Sequence, residues 1–456
     1  NEGSSNPNAK CVDIACWRRS LRSDLGGGTD WMVISVSANE GMNGTPNIRR
    51  DHFPLQMLMA IGITLITVCS GCRLPEVRGD ETPAARTVQQ YQSDNFLIHT
   101  DLAEEDAQEL LERLETMLTL ISRYWGAPSR KKIVCYIVDD TSNWPAGSLS
   151  PEALVTVRDG GITNAAGVKR GRVTDMTAVV YASTKFGTPQ HEAVHAYCYQ
   201  AFGTTGPTWY AEGMAEMGNY WVEGDETVNC PGYVVEFLKS SPRPTLQQIT
   251  DPDHRTGDGW KNYAWRWALC HFLSHNPNYA ERFRVLGVSL LSNRGGTIER
   301  AWPSQMDELE FEFRFFLDHL ETGLEAKRCR WDWKARFREA SSKAVRCKVD
   351  AARGWQPSLI KGTVGQMLRL TAEGQWTTDV NEPPFSGRGS PVTGKGRILG
   401  CVKNEKRLSD EFVIIPDRSF SLPAEGDLYL RCEDEWTSLA DNDGELAISI
   451  SAEIAE

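Results

Sequence analysis

The sequence predicts an α+β protein in two parts, a small mixed sheet joined to a helical half and then an all-β sandwich. Three observations carry that expectation. A strand–helix–strand order opens the body near 96–138, helical periodicity dominates 188–338, and residues 351–456 alternate apolar and polar over short stretches broken by Gly and Pro. The chain of 456 residues is long for one core, which points to more than one domain.

The first unit is "NFLIHTDLAEEDAQELLERLETMLTLISRYWGAPSRKKIVCYIVDD". Ala107, Leu110, Leu111, Leu114, Met117, Leu118, Ile121 and Trp125 recur at three- and four-residue steps, so one helix face is apolar, and Gly126 with Pro128 ends it. The flanking runs Phe96–Ile98 and Ile133–Val138 are short and β-rich, as buried strands are. Gly-rich turns and short strands are expected over 147–175, and "MTAVVYAS" over 176–183 as a further strand. Helices follow, among them "YAWRWALCHFLSH" and "LEFEFRFFLDHLETGLEA". A charged run closes this part, and 339–350 read as a linker. "GQMLRLTAEG", "GRILGCV", "DEFVIIP", "GDLYLRC" and "ELAISISAEI" then give the sandwich strands of 351–456.

The net charge of −12, with no block of Lys or Arg, excludes a nucleic-acid partner, whose phosphates must meet clustered cations. Twelve cysteines without a tight spacing pattern are buried thiols or disulfides according to compartment. Arg49 and Arg50 precede an apolar run from Leu55 to Val68, followed by Ser70, Gly71 and Cys72, the layout of an export signal. That run is shorter than the roughly 20 residues a membrane-spanning helix needs. "CSGC" resembles a bacterial lipobox, although Cys69 stands where Leu is usual. The resemblance implies a lipoprotein attached to the membrane through Cys72, in the periplasm or at the cell surface. Residues 1–56 then read as a disordered leader or an over-long gene start, 57–72 as the signal, and 73–338 as the principal domain.

Within that domain lies "GTPQHEAVHAYCYQAFGTTGPTWYAEGMAEMGNYW". His191 and His195 are four residues apart, so on a helix both imidazoles leave one face and a divalent metal can bridge them. Thr188 is the expected N-cap, and Pro189 suits the first turn. Catalytic zinc takes three protein ligands. Sixteen residues separate His195 from Glu212, room for a reversal and a return helix that brings the carboxylate back as the third. Glu216, one turn further, is placed to accept the remaining N–H of a ligand histidine. Glu192 is the candidate general base. Tyr263 is the candidate donor to the developing oxyanion, with Tyr220 in reserve and His271 third. The strand at 177–183 is expected to offer its edge to an extended peptide.

Blander readings stand beside these. His191, His195 and Glu212 are solvated helix polars, or they bind metal without turnover. Tyr263 packs with Trp265 and Trp267, and Cys198 is a buried thiol. His271 and His275, at the same spacing without an intervening Glu, belong to core or surface.

"HEAVH" followed by "PTWYAEGMAE" resembles the gluzincin zinc peptidases, in which a W-x-x-E-G-x-A segment carries the glutamate ligand. It is most similar to bacterial peptidase-MA-like domains, which also carry a later helix like that of Tyr263, Trp267 and Ala268. The resemblance spans roughly 90–335. It implies a zincin-like fold, zinc held by His191, His195 and Glu212, and a peptide or protein substrate. No "GxMEN"-type segment is present, so aminopeptidase activity is not implied.

"RGWQPSLIKGTVGQMLRLTAEGQW" and "AEGDLYLRCEDEWTSLADNDGELAISI" resemble the PA-IL-like galactose-binding lectins. That likeness implies calcium on Asp434, Asp441 and Asn442, with the Ser438 carbonyl, and glycans bound through the ion. Asp441 departs from the usual amide, and a sandwich with acidic residues and no ion stays open. The functional expectation is an exported zinc peptidase targeted to glycans. The alternative is a surface carbohydrate-binding protein whose zincin-like domain is structural or inactive.

Overall fold

The computed structural model describes residues 86–170, 173–251 and 259–453, and the backbone of 31–36. The expected export signal and Cys72 lie outside the described residues. No helix among those described is long and apolar enough to cross a membrane.

The chain is α+β. Its first sheet holds β1 (Trp31–Val36), β2 (Gln89–Gln92), β3 (Phe96–Thr100), β4 (Ile133–Val138), β5 (Gly161–Arg170) and β6 (Val173–Ser183), in the order β1-β5-β6-β4-β3-β2. Strands β3, β4 and β6 run parallel, while β2, β5 and β1 are antiparallel to their neighbours. Between β3 and β4 crosses α1 (Glu104–Trp125), whose buried residues Ala107, Leu111, Leu114, Met117, Leu118 and Trp125 form the expected face; it ends at Gly126 with φ 69°. The short α2 (Pro151–Thr156), capped by the Ser150 hydroxyl, covers the other face of the sheet with Trp144, Leu149 and Val157.

Three expectations change here. The stretch 147–175 is not a series of short strands: it contains α2 and then one ten-residue strand, β5. The edge of β6 is not open to a peptide, because β6 pairs with β4 on one side and β5 on the other. Within the expected leader, 31–36 add a strand to the outer edge of β5, with Val36 opposite Thr163.

The helical half comprises α3 (Thr188–Phe202), α4 (Thr208–Asn219), α5 (Gly232–Ser240), α6 (Leu246–Ile249), α7 (Trp260–His275), α8 (Ala280–Leu291), α9 (Ile298–Ala301) and α10 (Met306–Asp318). One hydrophobic cluster runs from the sheet through these helices. Its helix α3 lies against the sheet on one side and α4 on the other, so even its polar residues are buried from Pro189 to Tyr199.

The C-terminal part is a two-sheet sandwich of β7 (Arg338–Glu339), β8 (Val345–Asp350), β9 (Gln356–Gly362), β10 (Met367–Thr377), β11 (Ile398–Asn404), β12 (Arg407–Leu408), β13 (Phe412–Ile414), β14 (Ser419–Ser421), β15 (Gly426–Cys432) and β16 (Asp443–Ala452). One sheet is β14-β10-β16-β8; the other is β12-β11-β15-β9-β7, with β13 on β11. Alternating residues such as Leu368, Leu370, Ile448 and Ile450 fill the space between them. The expected linker 339–350 is therefore not a linker: β7 and β8 are sandwich strands. Both parts meet through aromatic rings, Trp331 against Tyr429 and Trp436 against Phe315. The eight described cysteines are unpaired, and all but Cys347 are buried, so among the described residues they serve as core.

Candidate metal centre

Helix α3 begins after Gly187, whose φ of 70° favours glycine and where a Cβ would lie 2.5 Å from the Asn219 carbonyl oxygen. Thr188 does not cap it as expected; its hydroxyl donates to the Lys185 carbonyl at 2.6 Å. Four residues of separation set His191 and His195 on one face, with ring centroids 4.9 Å apart. Helix α4 returns alongside and brings Glu212 to them. Its approach to α7 depends on Gly213, where a Cβ would lie 2.5 Å from Cys270 Sγ and 2.8 Å from the Arg266 carbonyl.

Three donor atoms converge. His191 Nε2 and His195 Nε2 are 3.2 Å apart, and Glu212 Oε2 lies 3.3 Å from the first and 3.4 Å from the second. The triangle is almost equilateral. A tetrahedral zinc ion with bonds of about 2.0–2.1 Å sets its ligands about 3.3–3.4 Å apart, since a tetrahedron's edge is about 1.6 times its centre-to-vertex length. The donors therefore stand at the spacing such an ion requires. Glu212 is fully buried; its Oε1 has no hydrogen-bond partner, and its Oε2 faces only the two imidazole nitrogens. A buried carboxylate converging with two imidazole nitrogens is a donor set suited to a divalent cation. Among the described residues no fourth His, Cys, Asp or Glu joins the group. Structural zinc sites close with four protein ligands, whereas catalytic ones keep a position for water.

The surrounding charges favour a cation. Burial lowers the His191 pKa, but Glu212 and Glu216 outweigh it and hold the ring well above its ordinary range. Burial likewise raises Glu212, yet His195 and His191 reverse this and depress it strongly. Glu216 Oε1 lies 3.1 Å from His191 Nδ1 and accepts its N–H, so that the proton a metal would displace is the one on Nε2. The other Glu216 oxygen accepts from Asn219 Nδ2 at 2.9 Å.

Glu192 is 1% exposed and faces β5. Thr163 Oγ1 is 2.7 Å from its Oε2 and 2.9 Å from its backbone carbonyl. Burial raises the Glu192 pKa against the opposing pull of His191, His195 and Thr163. Tyr263 comes to the site, its ring centroid 6.2 Å from that of His191 and under the Arg266 guanidinium. Tyr220 packs on Trp267 and turns to Glu216, and burial with that carboxylate raises its pKa well above normal. His271 is buried against Trp267, His275 and Phe316, and burial pulls its pKa well below normal. Cys198 is buried, its thiol pushed above its usual range.

In the sandwich, Asp434 and Asn442 are buried, each with one unpartnered oxygen, Oδ2 and Oδ1. Lys395 Nζ lies 3.3 Å from Asp434 Oδ1, and Asn442 Nδ2 donates to the Ala351 carbonyl at 3.1 Å. Asp441 is exposed, and its N–H bonds the Ser438 carbonyl at 3.3 Å. Of the expected calcium set, Asp434 and Asn442 are thus buried, and Asp441 is exposed with its carboxylate outside that backbone bond.

No family model and no curated protein matches the chain. Among solved structures, the N-terminal domain of EclA, a PllA-like lectin, matches at 19% identity and a TM-score of 0.21, over 25% of this chain and 100% of that one. Residues that sequence reasoning missed are Thr163, Gly161, Gly213 and Asn219. For Gly213 a signal existed, a glycine inside a helical pattern, which marks close packing.

Proposed function

We propose that the protein is a zinc-dependent peptidase of the gluzincin kind, exported, anchored through Cys72, and acting on peptide or protein substrates. The observation that carries this is the triangle of His191 Nε2, His195 Nε2 and Glu212 Oε2, with edges of 3.2–3.4 Å and Glu192 beside it. Bound zinc supplies Lewis acidity at a carbonyl and brings the pKa of water to about 7. Glu192 takes the water's proton and passes it to the leaving amine. Tyr263 donates to the carbonyl oxygen as it gains charge. Glu216, held by Asn219, keeps His191 in the tautomer that presents Nε2.

The test is zinc content with cleavage of fluorescein-labelled casein. The wild type is expected to hold about one zinc per chain, as three-ligand sites do. Glu192→Gln keeps the zinc and loses cleavage by about 10²-fold or more, the scale of a general base. Undiminished cleavage in that variant sinks the proposal.

A second reading, a carbohydrate-binding sandwich using calcium, is favoured by the unpartnered oxygens of Asp434 and Asn442. It predicts calcium-dependent retention on a galactose column, abolished by Asp434→Ala. A wild type that passes straight through dismisses it.

A further inference from the structure

We infer that Gly161 and Thr163 of β5 form a seat for the Glu192 carboxylate, anchoring Oε2 and leaving Oε1 as the oxygen that moves the proton. The inference rests on the peptidase reading and adds two positioning residues to it.

Two independent observations support the seat. Thr163 is 1% exposed, and its single hydroxyl proton is shared between Glu192 Oε2, the nearer acceptor at 2.7 Å, and the Glu192 backbone carbonyl at 2.9 Å. No hydrogen bond among the described residues reaches Oε1. At Gly161, two residues earlier on the same face of β5, an added Cβ would stand 2.6 Å from Glu192 Cγ and 3.0 Å from Oε1. The missing side chain is thus the space in which the Glu192 stem lies. A carboxylate that must accept and return a proton at one place needs a fixed rotamer, and an error of about 1 Å in such a group costs on the order of 10²-fold in rate. Helix α3 alone leaves the rotamer of Glu192 free, since the side chain has three torsions. Strand β5 removes that freedom by a donor on one oxygen and a steric wall behind the stem.

The assay is steady-state cleavage of labelled casein by the full chain, with zinc content measured on each preparation. Thr163→Val, close in shape but without the donor, is expected to lower kcat about 10- to 100-fold with KM within about twofold and zinc content unchanged. Thr163→Ser restores the donor and returns kcat to within about threefold of the wild type. Gly161→Ala, which displaces the stem by a different route, is expected to lower kcat similarly at full zinc content. In cobalt-loaded protein, the visible absorption bands shift in Thr163→Val as they do in Glu192→Gln and stay in place in Thr163→Ser. Wild-type kcat in Thr163→Val and Gly161→Ala, with Glu192→Gln inactive, overturns the seat and leaves the peptidase reading intact. Full cleavage by Glu192→Gln overturns the peptidase reading itself. A Thr163→Val loss that Thr163→Ser does not recover also overturns the seat, because shape rather than the donor would then be responsible.

Discussion

Replacing Glu216 by Ala removes a group that never touches the metal, yet it is expected to weaken zinc binding. Glu216 and His191 side chains are each 7% exposed, and Oε1 accepts from Nδ1 at 3.1 Å. Without the carboxylate, the buried Nδ1 proton is left unpaired, at a cost of about 1–3 kcal/mol. With tenfold per 1.4 kcal/mol, this is a loss of about 5- to 150-fold, which brackets the 10- to 100-fold typical of groups that orient metal ligands. Glu216→Gln is the milder change. Its amide oxygen still accepts from Nδ1, and Asn219, whose Oδ1 has no partner, can turn to receive the new N–H. Competition with a chromophoric chelator at pH 7.5 measures both variants. Zinc affinity in Glu216→Ala within about threefold of the wild type would refute the reasoning, since it would mean the ring is oriented by something other than this carboxylate.

Other consequences follow from the same geometry. His195→Ala and Glu212→Ala each delete one of the three proposed ligands and are expected to leave dialysed protein nearly free of zinc; a full zinc complement in either moves the site elsewhere. Zinc at about 1,000 times its dissociation constant stabilises a protein that binds it only when folded by about 4 kcal/mol, so thermal melting of chelator-treated protein should rise on adding zinc and not move in Glu212→Ala. Gly213→Ala puts a Cβ 2.5 Å from Cys270 Sγ and is expected to cost about 1–3 kcal/mol in melting and to loosen zinc by shifting α4. Glu312 offers a pH test. It is buried and accepts from Asn276 Nδ2 at 2.6 Å, Asn278 Nδ2 at 2.7 Å, the Trp331 N–H and Trp333 Nε1, all neutral, and burial holds its pKa up at about 7. A carboxyl raised in the folded state contributes stability below its unfolded pKa and loses it as pH rises through about 7. The gap in melting temperature between wild type and Glu312→Gln should therefore shrink from pH 5 to pH 8. A gap that widens reverses the sign.

The candidate metal centre was legible wherever its geometry is local. Two histidines at four residues need only a helix, and α3 is one because the segment from Pro189 to Phe202 has no breaker. Glu212 was legible by chain length, since a turn at Gly203–Pro207 leaves few ways back. Thr163 was not, because its contact with Glu192 spans 29 residues and arises from the pairing of β5 with β6, a register that no short pattern in "GITNAAGVKR" announces. Glu312 was hidden for the same reason, its donors lying in two distant segments, 276–278 and 331–333. The error at 339–350 has a different origin. Strand β8 reads "VRCKVD", and its charges Arg346 and Lys348 point outward from a sheet edge, the position at which strands carry charge to discourage further pairing. A charged run therefore looked like a solvated linker when it was the outer strand of the sandwich. The same logic bears on the loop after β15. Its expected calcium ligands came from the lectin-like pattern, which does not say that Asp434 and Asn442 are buried while Asp441 is exposed. Trp436, in the middle of the loop, lies 5.2 Å from Phe315 and 4.6 Å from His319 by ring centroids. The loop is thereby tied to the helical half, beside the contact of Trp331 with Tyr429. Trp436→Ala should separate a single thermal transition into two; one unbroken transition at the wild-type temperature would show that the tie carries no load.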